Sequence, residues 1–159
     1  MIRHAQEKDF EQVFRMYFDR SRNRFLYYDP MEESEFTPYW QKMLKRRHTY
    51  VLETRGEVRG FISAARREGQ EKHVVYISPI IVKRGNIGKG IGHKLMEFLL
   101  GKLKYTSGVK RVELIVNSDN EKAVGFFKKF GFEIEAVRKK GTEREGEYID
   151  DFMMVLLFN

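Results

Sequence analysis

Val82-Lys-Arg-Gly-Asn-Ile-Gly-Lys-Gly-Ile-Gly-His-Lys-Leu95 is the stretch that decides the fold. Its glycines at 85, 88, 90 and 92 lie between an apolar run that ends at Val82 and a run carrying Ile91, Leu95, Phe98, Leu99 and Leu103. Apolar residues returning every three or four positions predict a helix that opens inside this turn, and the run before it reads as a strand. Glycine backbone can turn sharply and lie close to a ligand because it has no Cβ. The first N–H groups of a helix have no partner within it, and its dipole gathers positive charge there, so a pyrophosphate suits the turn. A tight turn without a ligand would use the same glycines. A P-loop does not match, because it needs Gly-Lys-Ser/Thr and Lys89 is followed by Gly90, which argues against magnesium-nucleotide chemistry. A dinucleotide fingerprint would need glycine at 93, where His93 stands; Asp119 beyond the next strand keeps that reading open, but there is one β-Gly-α-β unit and no second half.

Working outward from the turn, Val74–Val82 is the strand that feeds it. Pro79 inside this strand predicts a bulge or an unpaired stretch, since its nitrogen cannot donate to a ladder. Upstream, Thr49–Thr54 and Val58–Ala65 flank Arg55-Gly56, which reads as a hairpin turn. Ile2-Arg3 opens a short strand. Asp9 is placed to cap a helix through Phe10, Val13, Phe14 and Tyr17, and a second helix is expected over 31–47, with an aromatic, basic loop over 22–30 between them. Downstream come a buried strand over 112–116 and a helix over 121–130 with Gly131 at its C′ position. Two strands near 133–138 and 148–158 then flank a charged hairpin loop. The element order makes a mixed α/β, or α+β, domain spanning 1–159.

Composition bounds the function. The chain has 159 residues and no cysteine, so disulfides and cysteine-ligated zinc are excluded, and no metal is expected. Its apolar runs are too short to span a bilayer and the N-terminus lacks an apolar signal core, so no membrane partner and a cytoplasmic location are expected. Lys and Arg outnumber Asp and Glu by 30 to 23, which favours an anionic ligand. The basic residues are spread rather than gathered, which does not favour nucleic acid.

The glycine stretch resembles the acetyl-CoA-binding motif of GNAT (GCN5-related) N-acetyltransferases, Arg/Gln-x-x-Gly-x-Gly/Ala after the fourth strand. Gly90 and Gly92 match its glycines, while Ile87 stands where Arg or Gln is usual. The segment Asn120-Glu-Lys-Ala123-Val-Gly-Phe126-Phe127-Lys-Lys129-Phe-Gly131-Phe132 is similar to the family's Asn-x-x-Ala-x-x-Phe-Tyr-x-Lys-x-Gly-Phe. Ile2 to Asp9 resembles the N-terminal Ile-Arg-x-Ala-x-x-x-Asp. The closing segment from Gly146 to Met153 is similar to the ribosomal-protein-alanine and amino-acid or polyamine acetyltransferase branches. The resemblance implies an acyl-CoA N-acyltransferase fold, a mixed sheet of six or seven strands with helices on both faces. It implies acetyl transfer to a primary amine, of a small molecule, an amino acid, a polyamine or a protein N-terminus. A non-catalytic acyl-CoA-binding or sensing module is the alternative. A homodimer through the C-terminal strands is also implied.

By the same resemblance the cofactor would lie along Ile80, Ile81 and Val82 and over Ile87, Gly88, Lys89, Gly90, Ile91 and Gly92, with Asn120 and Phe127 beside its pantetheine and thioester end. Acetyl transfer needs a neutral amine, a polarised carbonyl and a proton for the departing thiolate. Phe127 replaces the family's usual Tyr and cannot give that proton. The acid and base therefore stay unassigned, with His73, Ser78, Glu113 and Tyr148 as candidates. A strand-end histidine is also a common surface residue, and Glu113 could equally form an ion pair. Tyr27, Tyr28, Tyr39 and Trp40 are candidates to stack on a substrate, although aromatic residues at such spacing also serve as packing. Asp150 or Asp151, on opposite faces of one strand, could hold a cationic amine.

Overall fold

The computed structural model describes residues 1–19 and 29–159; Tyr27 and Tyr28 lie outside the described residues. Its elements are β1 (Ile2–His4), α1 (Phe10–Tyr17), α2 (Glu33–Leu44), β2 (His48–Thr54), β3 (Glu57–Arg66), β4 (Val74–Val82), α3 (Ile91–Lys104), β5 (Arg111–Asn117), α4 (Glu121–Lys129), β6 (Glu133–Arg144) and β7 (Glu147–Leu157). The seven strands make a mixed sheet, as the sequence led us to expect. The described chain falls into two compact units, Met1–Arg66 with Ile77–Ser107, and Arg67–Tyr76 with Gly108–Asn159.

In the first unit the strand order is β1-β2-β3-β4. β2 and β3 pair antiparallel from His48↔Ala64 to Thr54↔Glu57, around a turn in which Arg55 and Gly56 both have positive φ. Alternation along these strands sends side chains to opposite faces. Val51, Val58 and Phe61 meet Val13, Tyr17, Phe36 and Trp40 of α1 and α2, an aromatic core in which Tyr17 and Phe36 lie 4.9 Å apart. Tyr50 and Gly60 face the other way, toward Phe98, Ile91 and Leu95 of α3. Helices thus cover both faces of this part of the sheet. Leu95, Met96, Leu99 and Leu103 are fully buried, each worth about 1.5–3 kcal/mol.

Trp40 is fully buried in the α1–α2 core, so it packs and does not reach a substrate. The second helix is shorter than expected, because Glu32 and Glu35 form a capping box that starts it at Glu33. Asp9 does not cap α1 with its side chain. Its buried carboxylate receives Arg3 Nη1 and Nη2, each at 2.8 Å, and the Gln6 N–H at 2.8 Å. Burial opposes ionisation of Asp9, but these donors outweigh it and hold the carboxyl below its ordinary value.

In the second unit the order is β4-β5-β7-β6. β4 runs parallel to β5 over Val74–Tyr76, while β5 and β7 pair antiparallel from Arg111↔Leu157 to Asn117↔Asp151. The expected loop between the last two strands is mostly strand: β6 and β7 pair as far as Arg144↔Glu147, with register shifts at Ile134/Ala136 and Arg138/Thr142. The charged run can pair because β6 is exposed over nearly all its length, so its charges need no burial. Gly131 has φ +93° after α4, as a C′ residue should.

Two outcomes follow from these contacts. Asp9→Ala should cost about 2–3 kcal/mol at pH 7 in urea denaturation. Because the folded carboxyl titrates below its unfolded value, this stability is present above about pH 4 and is lost as pH falls through the folded value. The gap between parent and variant should therefore narrow in acid; equal stability at pH 7 would remove the Arg3–Asp9 pair from the account. Gly60→Val should cost about 2 kcal/mol, since even a Cβ there would lie 2.7 Å from Ile91 Cγ2 and 2.8 Å from Leu95 Cδ1. An unchanged urea midpoint would show that α3 can lift without loss.

Candidate functional site

The turn between β4 and α3 is built by backbone. Lys83 N–H donates to the Arg59 carbonyl at 2.9 Å, which ends β4 on β3. Asn86 N–H then returns to the Lys83 carbonyl at 3.0 Å. Gly85, Gly88 and Gly90 have φ of +85°, +77° and +77°, a region that favours glycine. A Cβ at any of the three would meet nothing within 4 Å. These residues are glycine for conformation, and the space beside them is open to a ligand. Gly90 is the N-cap of α3 and contributes no capping side chain; its carbonyl accepts the first helical bond, from Lys94 N–H at 3.0 Å.

Side chains set the character of the turn. Ile80 and Val82 are half-buried at the end of β4, while Ile81 is buried in the α1–α2 core. Ile87 is 61% exposed at the tip, and Gly88 and Lys89 are exposed beside it. Ile91 and Gly92 are half-buried in the first turn of α3. Asn86 is buried, and its Oδ1 accepts from Arg59 Nη1 at 3.3 Å. Glu57 bridges Arg59 and Lys83. A hollow of about 360 Å³ opens beside this network, lined by Arg15, Lys83 and Arg84 with Gln12, Met16 and Asp19. Ser78 lies earlier on β4, and its carbonyl accepts from Arg46 Nη1 at 3.1 Å.

The remaining candidates belong to the second unit. Asn120 caps α4, its Oδ1 accepting from Ala123 N–H at 3.3 Å. Phe127 is buried between Phe126 and Phe132, at ring distances of 5.3 and 6.0 Å. His73 is exposed just before β4, and its carbonyl takes Lys110 N–H at 2.9 Å. Glu113 is buried, with Oε1 2.6 Å from Arg67 Nη2 and Oε2 3.0 Å from Arg111 Nε. Both of its oxygens are thus held by guanidiniums, and the hydrogen bond to Glu113 raises the pKa of Arg67 in turn. Tyr148 is 63% exposed with the Lys140 ammonium 5.7 Å from its ring centre. Asp150 Oδ1 accepts from Lys140 N–H at 2.8 Å, whereas Asp151 is fully buried against Asn117 and Thr142.

The structure therefore brings Ile80–Gly92 together in one unit, and puts His73, Glu113, Asn120, Phe127, Tyr148 and Asp150 in the other. Sequence reasoning missed Asn86 and the Arg59–Glu57–Lys83 bridge. Asn86 carried a usable signal, because asparagine after glycine is a turn residue that hydrogen-bonds nearby backbone. The bridge joins residues 26 apart, which no local pattern shows.

Comparison with known proteins bears on the fold and the family. The L-amino acid N-acetyltransferase AaaT of Escherichia coli is 28% identical over 159 residues, spanning 97% of this chain and 95% of the relative. The ribosomal-protein-alanine N-acetyltransferase of Brucella melitensis superposes with a TM-score of 0.85 at 21% identity, over 99% of both chains. A GNAT superfamily phosphinothricin acetyltransferase of Sinorhizobium meliloti, solved in complex with acetyl-CoA, gives a TM-score of 0.85 at 21% identity, over 99% of this chain and 87% of that one. A sequence profile of the acetyltransferase (GNAT) family matches residues 8–132, and the chain belongs to that family.

Proposed function

We propose that this chain is a single-domain acetyl-CoA-dependent N-acetyltransferase whose acceptor is the primary amine of a small molecule of amino-acid type. The observation that carries the cofactor assignment is the turn at Gly88–Gly92, where left-handed glycines leave open space in front of the first turn of α3. Pyrophosphate fits there because the N–H groups opening α3 and its dipole favour negative charge. Arg15, Lys83 and Arg84 around the adjoining hollow add counter-charge for the cofactor's phosphates. The half-buried Ile80 and Val82 offer a strand backbone and apolar surface to the pantetheine arm. The amino-acid class is carried over from the full-length similarity to the Escherichia coli relative.

In this reading a neutral amine attacks the acetyl carbonyl carbon. A C–N bond forms, the C–S bond breaks, and the proton lost by nitrogen ends on the CoA sulfur. No acyl-enzyme is needed, in keeping with a chain that has no cysteine. Phe127 supplies packing and no proton, so the reaction relies on positioning and on backbone dipoles aimed at the carbonyl oxygen. Glu113, with both oxygens held by guanidiniums, is not the base of this reading. A binding module that kept the turn but lost transfer is separated from the enzyme by one experiment: thiol release from acetyl-CoA across a panel of L-amino acids. Release with at least one amino acid supports the enzyme, whereas CoA binding without release supports the module.

Two substitutions test the assignment. Gly90→Glu places bulk and negative charge against the bound phosphates and should weaken CoA at least 100-fold by calorimetry. Gly90→Asn, which tolerates a left-handed backbone, should stay within about tenfold of the parent. Normal CoA affinity in a folded Gly90→Glu protein would move the cofactor off this turn. Phe127→Tyr should leave kcat within about threefold; a tenfold rise would show that protonation of the thiolate limits turnover and would revise the mechanism.

A further inference from the structure

At the opposite end of α3 from the glycine turn, the first unit holds a hollow of about 680 Å³, within the size range of small-molecule sites. One wall is aromatic. Buried Tyr50 meets Phe98 edge-on at 5.0 Å, and His4 lies against Tyr50 at 4.7 Å. The lining also carries the exposed cations Arg47 and Lys102, the latter's ammonium 5.3 Å from the Phe98 ring centre. His48, 5% exposed and also in the lining, keeps its Nδ1 3.1 Å from Tyr50 Oη. Glu97 is the acidic residue of the lining, and it faces His93 across 3.8 Å.

The pKa of His48 is pushed down to about 4, first by burial and then by the charges of Arg47, His4, Arg66 and Lys102. Neutral at pH 7, His48 adds a hydrogen-bonding imidazole to the floor. A further observation concerns Gly101, which also lines the hollow. Glycine inside a helix is disfavoured relative to alanine, yet a Cβ at Gly101 would meet nothing within 4 Å. Packing among the described residues does not require glycine at this position, and its missing side chain leaves room in the hollow.

We propose that this hollow is a second ligand site, taking a small planar-ring anion whose ring lies on Phe98 and Tyr50 and whose anionic head meets Arg47 and Lys102. A guanidinium fork matches a carboxylate or phosphate, and the aromatic wall matches a flat ring. A bare inorganic anion would leave that wall uncovered, and an organic cation would meet the wrong charge.

Calorimetric titration of the intact protein with indole-3-acetate and with AMP tests the site and tells a carboxylate head from a phosphate one. At least one should give a saturable isotherm, with neutral indole and inorganic phosphate at least tenfold weaker. Arg47→Gln with Lys102→Gln should weaken that isotherm at least tenfold. Gly101→Leu should remove it without lowering the melting temperature, and this variant decides the matter if the double one fails to fold. Three results would overturn the proposal: no binding of either anion, equal binding by the folded variants, or loss of the isotherm at saturating CoA, which would put the anion on the glycine turn. The site is independent of the proposed catalytic activity, since none of these residues is placed in the cofactor or acceptor machinery.

Discussion

The seat of α3 on β3 depends on a missing methyl group. Gly60 lets Ile91 and Leu95 settle where any Cβ would stand, and Ile91 is the first residue of α3. The helix start is thereby pinned to the sheet, with Leu95, Met96, Leu99 and Leu103 burying the rest of its inner face. Close packing resists small displacements, so the glycine turn has little freedom to drift. The hydrogen bonds from Lys83 to Arg59 and from Arg59 to Asn86 fasten the other side of the same turn to β3. A site made of backbone N–H groups has no side chain to re-aim, so its precision must come from the elements that hold it. Neighbouring residues of β3 do both jobs, Arg59 for the turn and Gly60 for the helix.

Buried charge in the second unit comes with fixed partners. Glu113 is out of water but held by Arg67 and Arg111, and Arg111 also reaches Glu135 through two bonds of 2.6 and 2.8 Å. The Glu135 hydrogen bond, ahead of that from Glu113, raises the pKa of Arg111. Asp151 is treated similarly: Asn117 and Thr142 donate to it from β5 and β6, on either side of β7. Buried polar groups without partners would each cost a few kcal/mol, so such groups come with their donors fixed. Their cross-strand geometry sets the register of β5, β7 and β6 more tightly than the exposed charges of β6 could.

The glycine turn, the α3 periodicity and the Arg55-Gly56 hairpin were legible in the sequence because each is a local pattern with a local cause. Phe36, Trp40 and Met43 also showed their helical spacing, although the start at Glu33 depended on a capping box that competed with Met31. The β6–β7 pairing beyond Arg138 was hidden, since a highly charged segment reads as loop unless one knows that it pairs while staying exposed. Asp9 misled for a related reason. Its sequence position suits a cap, but its carboxylate is taken instead by Arg3, six residues away, whose guanidinium also reaches Glu53 of β2. The charged candidates Glu113 and Asp150 likewise acquired partners, Arg67 and the Lys140 N–H, that sequence separation conceals. Charge is the property least readable from sequence, because its meaning depends on what stands opposite.

The two ends of α3 pose opposite electrostatic problems. At Gly90 the helix dipole favours an anion, and in the proposed reading backbone there takes the part that Arg or Gln would otherwise play at Ile87. At the far end the dipole places about half a negative charge near the last turn, which would repel an anion there. Lys102 and Lys104 in that turn already complement the dipole. Arg47 comes from outside the helix and is not needed for that purpose. With Lys102 it adds positive charge beside His48, whose pKa is lowered first by burial and then by such charges. The cationic side chains at the C-terminal end thus exceed what helix stability asks for, and they stand beside an aromatic wall and an unfilled glycine position. An anion here would be held by side chains against the dipole, whereas one at the turn would be held by backbone with it. Binding at the first place should therefore answer to loss of individual charges, and binding at the second to changes in glycine conformation.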